Sequence, residues 1–232
     1  MVAVVVVAAS LAVVLSGALS PTSKSSGVFV AEQAAVTTAA PFVNGLAGAP
    51  WQLTLASGFL RDGPLDRSWF LPPPSNCTVR NGTLTNTTIP TSSFTGSHYS
   101  GLAEDWVLQY ADSSGSTGLT VLVRDGGAAS IGEWSGPDCR PGAPLGTGFI
   151  DSTAAADALM SNGGASAYIS AHPTANATFS LAYVSYHSGW VLTNATFWIF
   201  AFMVNGIGGM LEAEVFANNG TVLCIGGGGP CR

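Results

Sequence analysis

Two carboxylates two residues apart, Glu212 and Glu214, are the first candidates for chemistry in this 232-residue chain. On a strand they share a face at about 7 Å, a separation at which an acid and a base can flank a glycosidic bond. Solvent-facing positions on a half-buried strand produce the same spacing without catalysis. A hydrolase also needs a second wall, for which Glu104 and Asp105 in the other half of the chain are the candidates. His98, His172 and His187 are too scattered to mark a metal centre. Ser188 beside His187 has no Gly-X-Ser-X-Gly elbow and reads as part of a turn. Gly226 to Gly229 lacks the Lys-Ser/Thr and the following helix of a phosphate loop. The expectation is no catalytic set, no cofactor and no metal.

Composition narrows the partners. Hydrophobic residues make up 47% and charged residues 9%, the reverse of a disordered chain. The net charge is -6 and Lys24 is the sole lysine, so no basic patch exists to neutralise phosphates and nucleic acid is excluded as a partner. Few carboxylates are available to protonate, which makes an acidic exterior compatible with folding.

Several features point to export. The charge-free apolar run from Val2 to Leu19 has the length of a signal-peptide core or a short membrane anchor. Small residues at Ser16-Gly17-Ala18 favour cleavage near Ala18, with residues 21–27 as an exposed spacer. Asn76, Asn81, Asn86, Asn176, Asn194 and Asn219 each have Thr two residues on, as glycan acceptors require. The four cysteines then make disulfides, expected as Cys77 with Cys139 and Cys224 with Cys231. The longer loop contributes roughly 4 kcal/mol in the chain-entropy account. The expected location is extracellular or at the cell surface, with membrane contact only through residues 1–20 if they are retained.

The positioning elements follow from periodicity. A helix is expected within Val28 to Val43, kinked or shortened by Pro41, followed by a strand at Trp51 to Leu55. Residues 61–100 read as a polar insertion, too irregular for core. Trp106 to Tyr110 and Leu119 to Arg124 pattern as a hairpin. Asp151 or Ser152 caps a second helix with Ala155, Ala158 and Leu159 on one face, which Asn162-Gly163-Gly164 stops or interrupts. Phe179 to Val184, Trp190 to Val204, Met210 to Ala217 and Thr221 to Cys224 read as strands.

Trp106-Val107-Leu108 recurs as Trp190-Val191-Leu192. The expected architecture is therefore α+β, two tandem helix-on-antiparallel-sheet units forming a diverged repeat, with Trp106 and Trp190 in comparable positions. The layout is 1–20 signal peptide or anchor, 28–150 first unit, 151–224 second unit, and 225–232 a Gly-rich tail tied by a disulfide.

The helix from Ser152, the breaker Ala171-His172-Pro173, the strand opening at Trp190-Val191 and the hairpin Leu211 to Leu223 together resemble PepSY-like domains. The resemblance covers mainly residues 151–223. It implies a small exported module with a helix on an antiparallel sheet, an inhibitory or binding role, and no catalytic residues. Trp198, Phe200 and Phe202 lie in a run apolar on both faces, which is either a central core strand or, with Trp190, a binding surface. The function expected is a non-enzymatic, exported module for an extracellular protein or peptide. A secreted hydrolase using a carboxylate pair and a structural, pilus-like surface subunit are the alternatives.

Overall fold

The computed structural model describes residues 28–47, 50–60, 65–66, 70–72, 77–84, 88–89, 99–137, 139–173, 175–188, 191–203 and 210–227. Two thirteen-residue strands, β8 (Asn176–Ser188) and β9 (Val191–Met203), set its architecture. They pair antiparallel from Asn176↔Met203 to Ser188↔Val191. Strict alternation sends Phe179, Trp198, Phe200 and Phe202 to one face, where each is at most 1% exposed. β10 (Met210–Phe216) and β11 (Val222–Gly227) extend this meander.

A second meander precedes it in the chain. β1 (Gln52–Leu60), β5 (Asp105–Ala111), β6 (Thr117–Arg124) and β7 (Gly127–Ser135) pair in that order, and the short strand β3 (Thr78–Asn81) adds to β7. A separate two-stranded pairing joins β2 (Leu65–Asp66) to β4 (Thr88–Ile89).

The expectation of two tandem units is overturned at the join. β1 pairs antiparallel with β8, from Leu55↔Ala182 to Leu60↔Ala177, making one nine-stranded sheet in the order β11-β10-β9-β8-β1-β5-β6-β7-β3. The architecture is a sheet-dominated single layer with short helices, not two helix-on-sheet units. Local alternation is the same whether two meanders stand apart or share a central pair, so the pattern could not decide it.

Three helices lie on the Trp198 face. α1 (Glu32–Asn44) packs against β5, β6 and β7, while α2 (Ser152–Met160) packs against β10 and against α3 (Gly163–Ala171). Ala35, Ala39 and Val43, at successive four-residue steps, form the buried stripe of α1. Pro41 does not end that helix, which continues to Asn44. Its missing N–H costs the Thr37 carbonyl one partner. No described helix is long and apolar enough to cross a membrane.

The centre of the sheet relates Trp106 to Trp198. Trp106 on β5 donates its indole N–H to the carbonyl of Val30, just ahead of α1, at 3.0 Å. Trp198 on β9 does the same to Ile150, just ahead of α2, at 2.9 Å. Their rings meet edge to face at 6.5 Å. Trp190, the expected counterpart of Trp106, lies outside the described residues.

Residues 61–100 supply core after all. Tyr99 is fully buried, with ring centroids 5.2 to 5.9 Å from those of Phe179, Phe200 and Phe202. Leu84, with Phe70 and Leu71 beside it, packs on Phe59, Val107, Leu122 and Ile131, the apolar cluster of the opposite face. Cys77 and Cys139 are bonded, Cα atoms 5.4 Å apart, which fastens the start of β3 to the chain leaving β7. Cys231 lies outside the described residues, and with it the second expected bridge.

Candidate functional site

A pocket of about 260 Å³ opens where β3, β6 and β7 meet the chain leaving α1. Cross-strand register builds its floor. Tyr110, Leu119, Glu133 and Arg80 form one continuous row across β5, β6, β7 and β3. The inner two belong to the main core, so the same face continues outward into Glu133 and Arg80. The next row holds Thr117, Ser135 and Thr78. Asp112, Ala47 and Trp51 complete the walls.

The reverse face holds this floor in place. Trp134 lies over Gly118, where a Cβ would come within 2.2 Å of the ring, and donates its indole N–H to Thr120 Oγ1 at 3.3 Å. Trp134 also packs with the Cys77–Cys139 bridge. A four-residue edge strand is thus pinned by a covalent bond at its start and by an indole beneath.

The polar groups of the pocket differ in how well they are satisfied. Asp112 accepts from the backbone N–H of Ser116 (2.9 Å) and Thr117 (3.2 Å) and from the Ser114 hydroxyl, closing the β5–β6 turn. Slight desolvation raises its pKa, but the hydrogen bonds from Thr117, Ser114 and Ser116 outweigh that and hold the carboxyl below its ordinary value. Arg80 and Glu133 stand opposite one another in register, yet the ion pair among the described residues is elsewhere, between Arg124 and Asp105. The indole N–H of Trp51 is buried and has no protein partner. Arg80, Glu133, Thr78, Thr117 and Ser135 therefore present donors and acceptors to the same space, while the Trp51 N–H is enclosed in its wall.

A second polar cluster sits at the opposite end of α1. Asp151 Oδ1 accepts from Ser152 N (2.7 Å), capping α2, and from Gln33 N of α1 (3.2 Å). Ser152 Oγ accepts from Glu32 N at 3.0 Å. The helix whose own N-cap residue, Ala31, offers no side-chain acceptor is capped by its neighbour. The Glu32 side chain is fully buried, and neither carboxyl oxygen has a hydrogen-bond partner. Burial, with the charge of Asp151 added, raises its pKa to about 7. The helix dipole favours the anion by only about 0.3–1 kcal/mol, whereas an unpaired buried ion costs several kcal/mol, so desolvation decides. The Tyr110 hydroxyl is also buried without a partner, and burial together with the Glu32 charge raises its pKa.

The residues singled out from sequence are placed differently. Trp198, Phe200 and Phe202 belong to the core, so this aromatic strand is interior, not a docking face. Glu212 and Glu214 lie on β10, Glu104 and Asp105 at the start of β5, with β9, β8 and β1 between the two strands. Four inter-strand steps separate them by about 19 Å, and they do not converge. Glu214 is pushed upward in pKa by burial and then by Glu212. His187 and Ser188 end β8 instead of forming a turn. His172 caps α3, its ring 4.4 Å from that of Tyr168, and His98 lies outside the described residues. Among the sequons, Asn81, Asn194 and Asn219 are exposed and Asn176 is buried; Asn76 and Asn86 lie outside the described residues.

Arg80, Glu133, Asp112 and Trp51 escape sequence reading because four separate segments assemble them. Glu32 carried a signal: it precedes Ala35, Ala39 and Val43 at helical spacing, a charge in line with an apolar stripe. Comparison of the chain with protein-family models, with curated proteins and with solved structures finds no match.

Proposed function

We propose that this chain is an exported, non-enzymatic module that binds an extracellular peptide or protein segment in the pocket between α1 and the β3 edge. The observation that carries the reading is the mixed polar lining. Arg80 is a donor, Glu133 is an acceptor, and Thr78, Thr117 and Ser135 can serve as either. A peptide presents alternating N–H and C=O groups that match such a mixed lining, and β3 is the last strand of the sheet, the position from which strand addition starts. The Cys77–Cys139 bond and the exposed Asn81, Asn194 and Asn219 support an oxidising, glycan-bearing location. The separation of Glu212 and Glu214 from Asp105 weighs against a hydrolase assembled from those acids.

Selection of a displayed peptide library on the purified chain tests this. Enriched peptides are expected to lose at least about tenfold in affinity with Arg80→Ala and with Glu133→Ala, equivalent to roughly 1.4 kcal/mol each. Arg80 is exposed and Glu133 half-buried, so melting should change little. Equal binding by both variants rejects the pocket, and cleavage of the selected peptides rejects a non-enzymatic role.

A further inference from the structure

α1 joins two places that the pocket reading leaves unconnected. At its first turn, the Glu32 carboxyl is buried with neither oxygen partnered. Just beyond its last turn, Ala47 and then Trp51 wall the pocket. Thirteen residues of helix span about 20 Å as a stiff rod. The sheet beneath provides a second link, since Tyr110, on which the Glu32 charge acts, occupies the row that runs through Leu119 to Glu133 and Arg80.

We propose that Glu32 is a proton-operated latch: protonated, it seats α1 on the sheet and the pocket is fully built; ionised, it draws the first turn of α1 toward water and loosens Ala47 and Trp51 in the pocket wall. This regulates the site proposed above and rests on that reading for its role in binding, though not for the movement itself.

The physical argument is one of alternatives. An ionised Glu32 in its present place has no partner, and its titrating neighbours among the described residues are Asp151 at the head of α2, already negative, and Tyr110 on β5. Neither supplies a positive charge. The response open to it is to loosen the first turn, where Glu32 N bonds Ser152 Oγ and Gln33 N bonds Asp151 Oδ1, while Val30 ahead of it stays held to Ala103 by two backbone bonds and to the Trp106 indole as a fixed pivot. The sign follows from linkage. The Glu32 pKa is raised in the fold, so its contribution is fully present below its ordinary value of 4.5 and is lost as pH rises through about 7.

Nitrogen-15 spectra of the full chain, recorded from about pH 5 to about pH 9, test the latch without any ligand. The Trp51 indole N–H and the amides of both ends of α1 should shift together with a midpoint near 7. Glu32→Gln should abolish that titration. Asp151→Asn, which keeps a good N-cap and removes the facing negative charge, should move the midpoint down and guards against Glu32→Gln failing to fold. Titration that persists in Glu32→Gln overturns the proposal, as does a first turn that titrates while Trp51 stays still. A Trp51 titration in a protein that selects no peptide would support the latch and reject only the peptide reading.

Discussion

The two helix starts at the centre of the molecule occupy matching places and are built oppositely. Val30 ahead of α1 and Ile150 ahead of α2 each receive an indole N–H, from Trp106 and Trp198. The first helical residue is fully buried in both, Ser152 in one and Glu32 in the other. α2 caps itself with Asp151 and lends the same carboxylate and the Ser152 hydroxyl to α1. α1 contributes no cap and puts a carboxyl into the core. One half of the sheet is closed by an aromatic cluster of Tyr99, Phe179, Trp198, Phe200 and Phe202, with the Trp198 indole bonded to Ile150. The other holds buried polar atoms without hydrogen-bond partners at both ends of α1, on Glu32 and Tyr110 at its start and on Trp51 in the pocket wall. The two halves share one core but differ in where their buried polar groups lie.

The largest effect that would break this comparison is on the aromatic side. Trp198→Ala removes a side chain with no exposure and the bond to the Ile150 carbonyl. Denaturant melts should show a loss of about 3 to 5 kcal/mol, while any variant that still folds keeps its pocket affinity. A loss under about 1 kcal/mol would mean that β9 is not the centre of the core.

The next concerns the polar half. Asp105 is fully buried and paired with Arg124; burial raises its pKa to about 6 even though the Arg124 hydrogen bond and charge act to lower it. Arg124→Met should cost about 3 kcal/mol near neutral pH, because it strands one member of a buried pair. Asp105's folded pKa already exceeds its ordinary value of 3.8, so its contribution is present below that value and is lost as pH rises through about 6. Removing Arg124 pushes the folded pKa higher and extends the loss upward in pH. Melts of both proteins from acid to neutral pH should therefore converge at the acid end, and a penalty independent of pH would remove the ion pair from the explanation.

Local pattern carried much of the fold and little of the site. The β5–β6 hairpin, the Asp151 cap and the Asn162 interruption follow from alternation and capping chemistry that act within a few residues. The β1–β8 pair joins residues more than a hundred positions apart, and no local signal selects it over two separate sheets. The stretch 61–100 looked polar because its average hides Tyr99 and Leu84, single residues that insert into two different faces. The expected Trp106–Trp190 equivalence rested on a tripeptide, whereas the structural counterpart of Trp106 is identified by a hydrogen bond to the chain ahead of a helix. Pockets made from cross-strand rows inherit this limit, since Arg80 and Glu133 meet through register alone.

The smallest effect sharpens the contrast between self-capped and borrowed helix starts. α3 is capped within its own turn: Asn162 Oδ1 accepts from Gly164 N at 3.0 Å and from Ala165 N at 3.4 Å. Asn162→Ala should cost about 1 kcal/mol, the usual worth of an N-cap, and the cost should stay local because both bonds of the capping side chain go to the first turn of α3 itself. Ser152→Ala removes one acceptor of similar strength, yet that acceptor serves α1, beyond whose far end Ala47 walls the pocket. Equal losses of stability in the two variants, with the Trp51 indole resonance displaced only by Ser152→Ala, are the expected pattern. Displacement by both, or by neither, would show that borrowing a cap does not couple α2 to the pocket through α1.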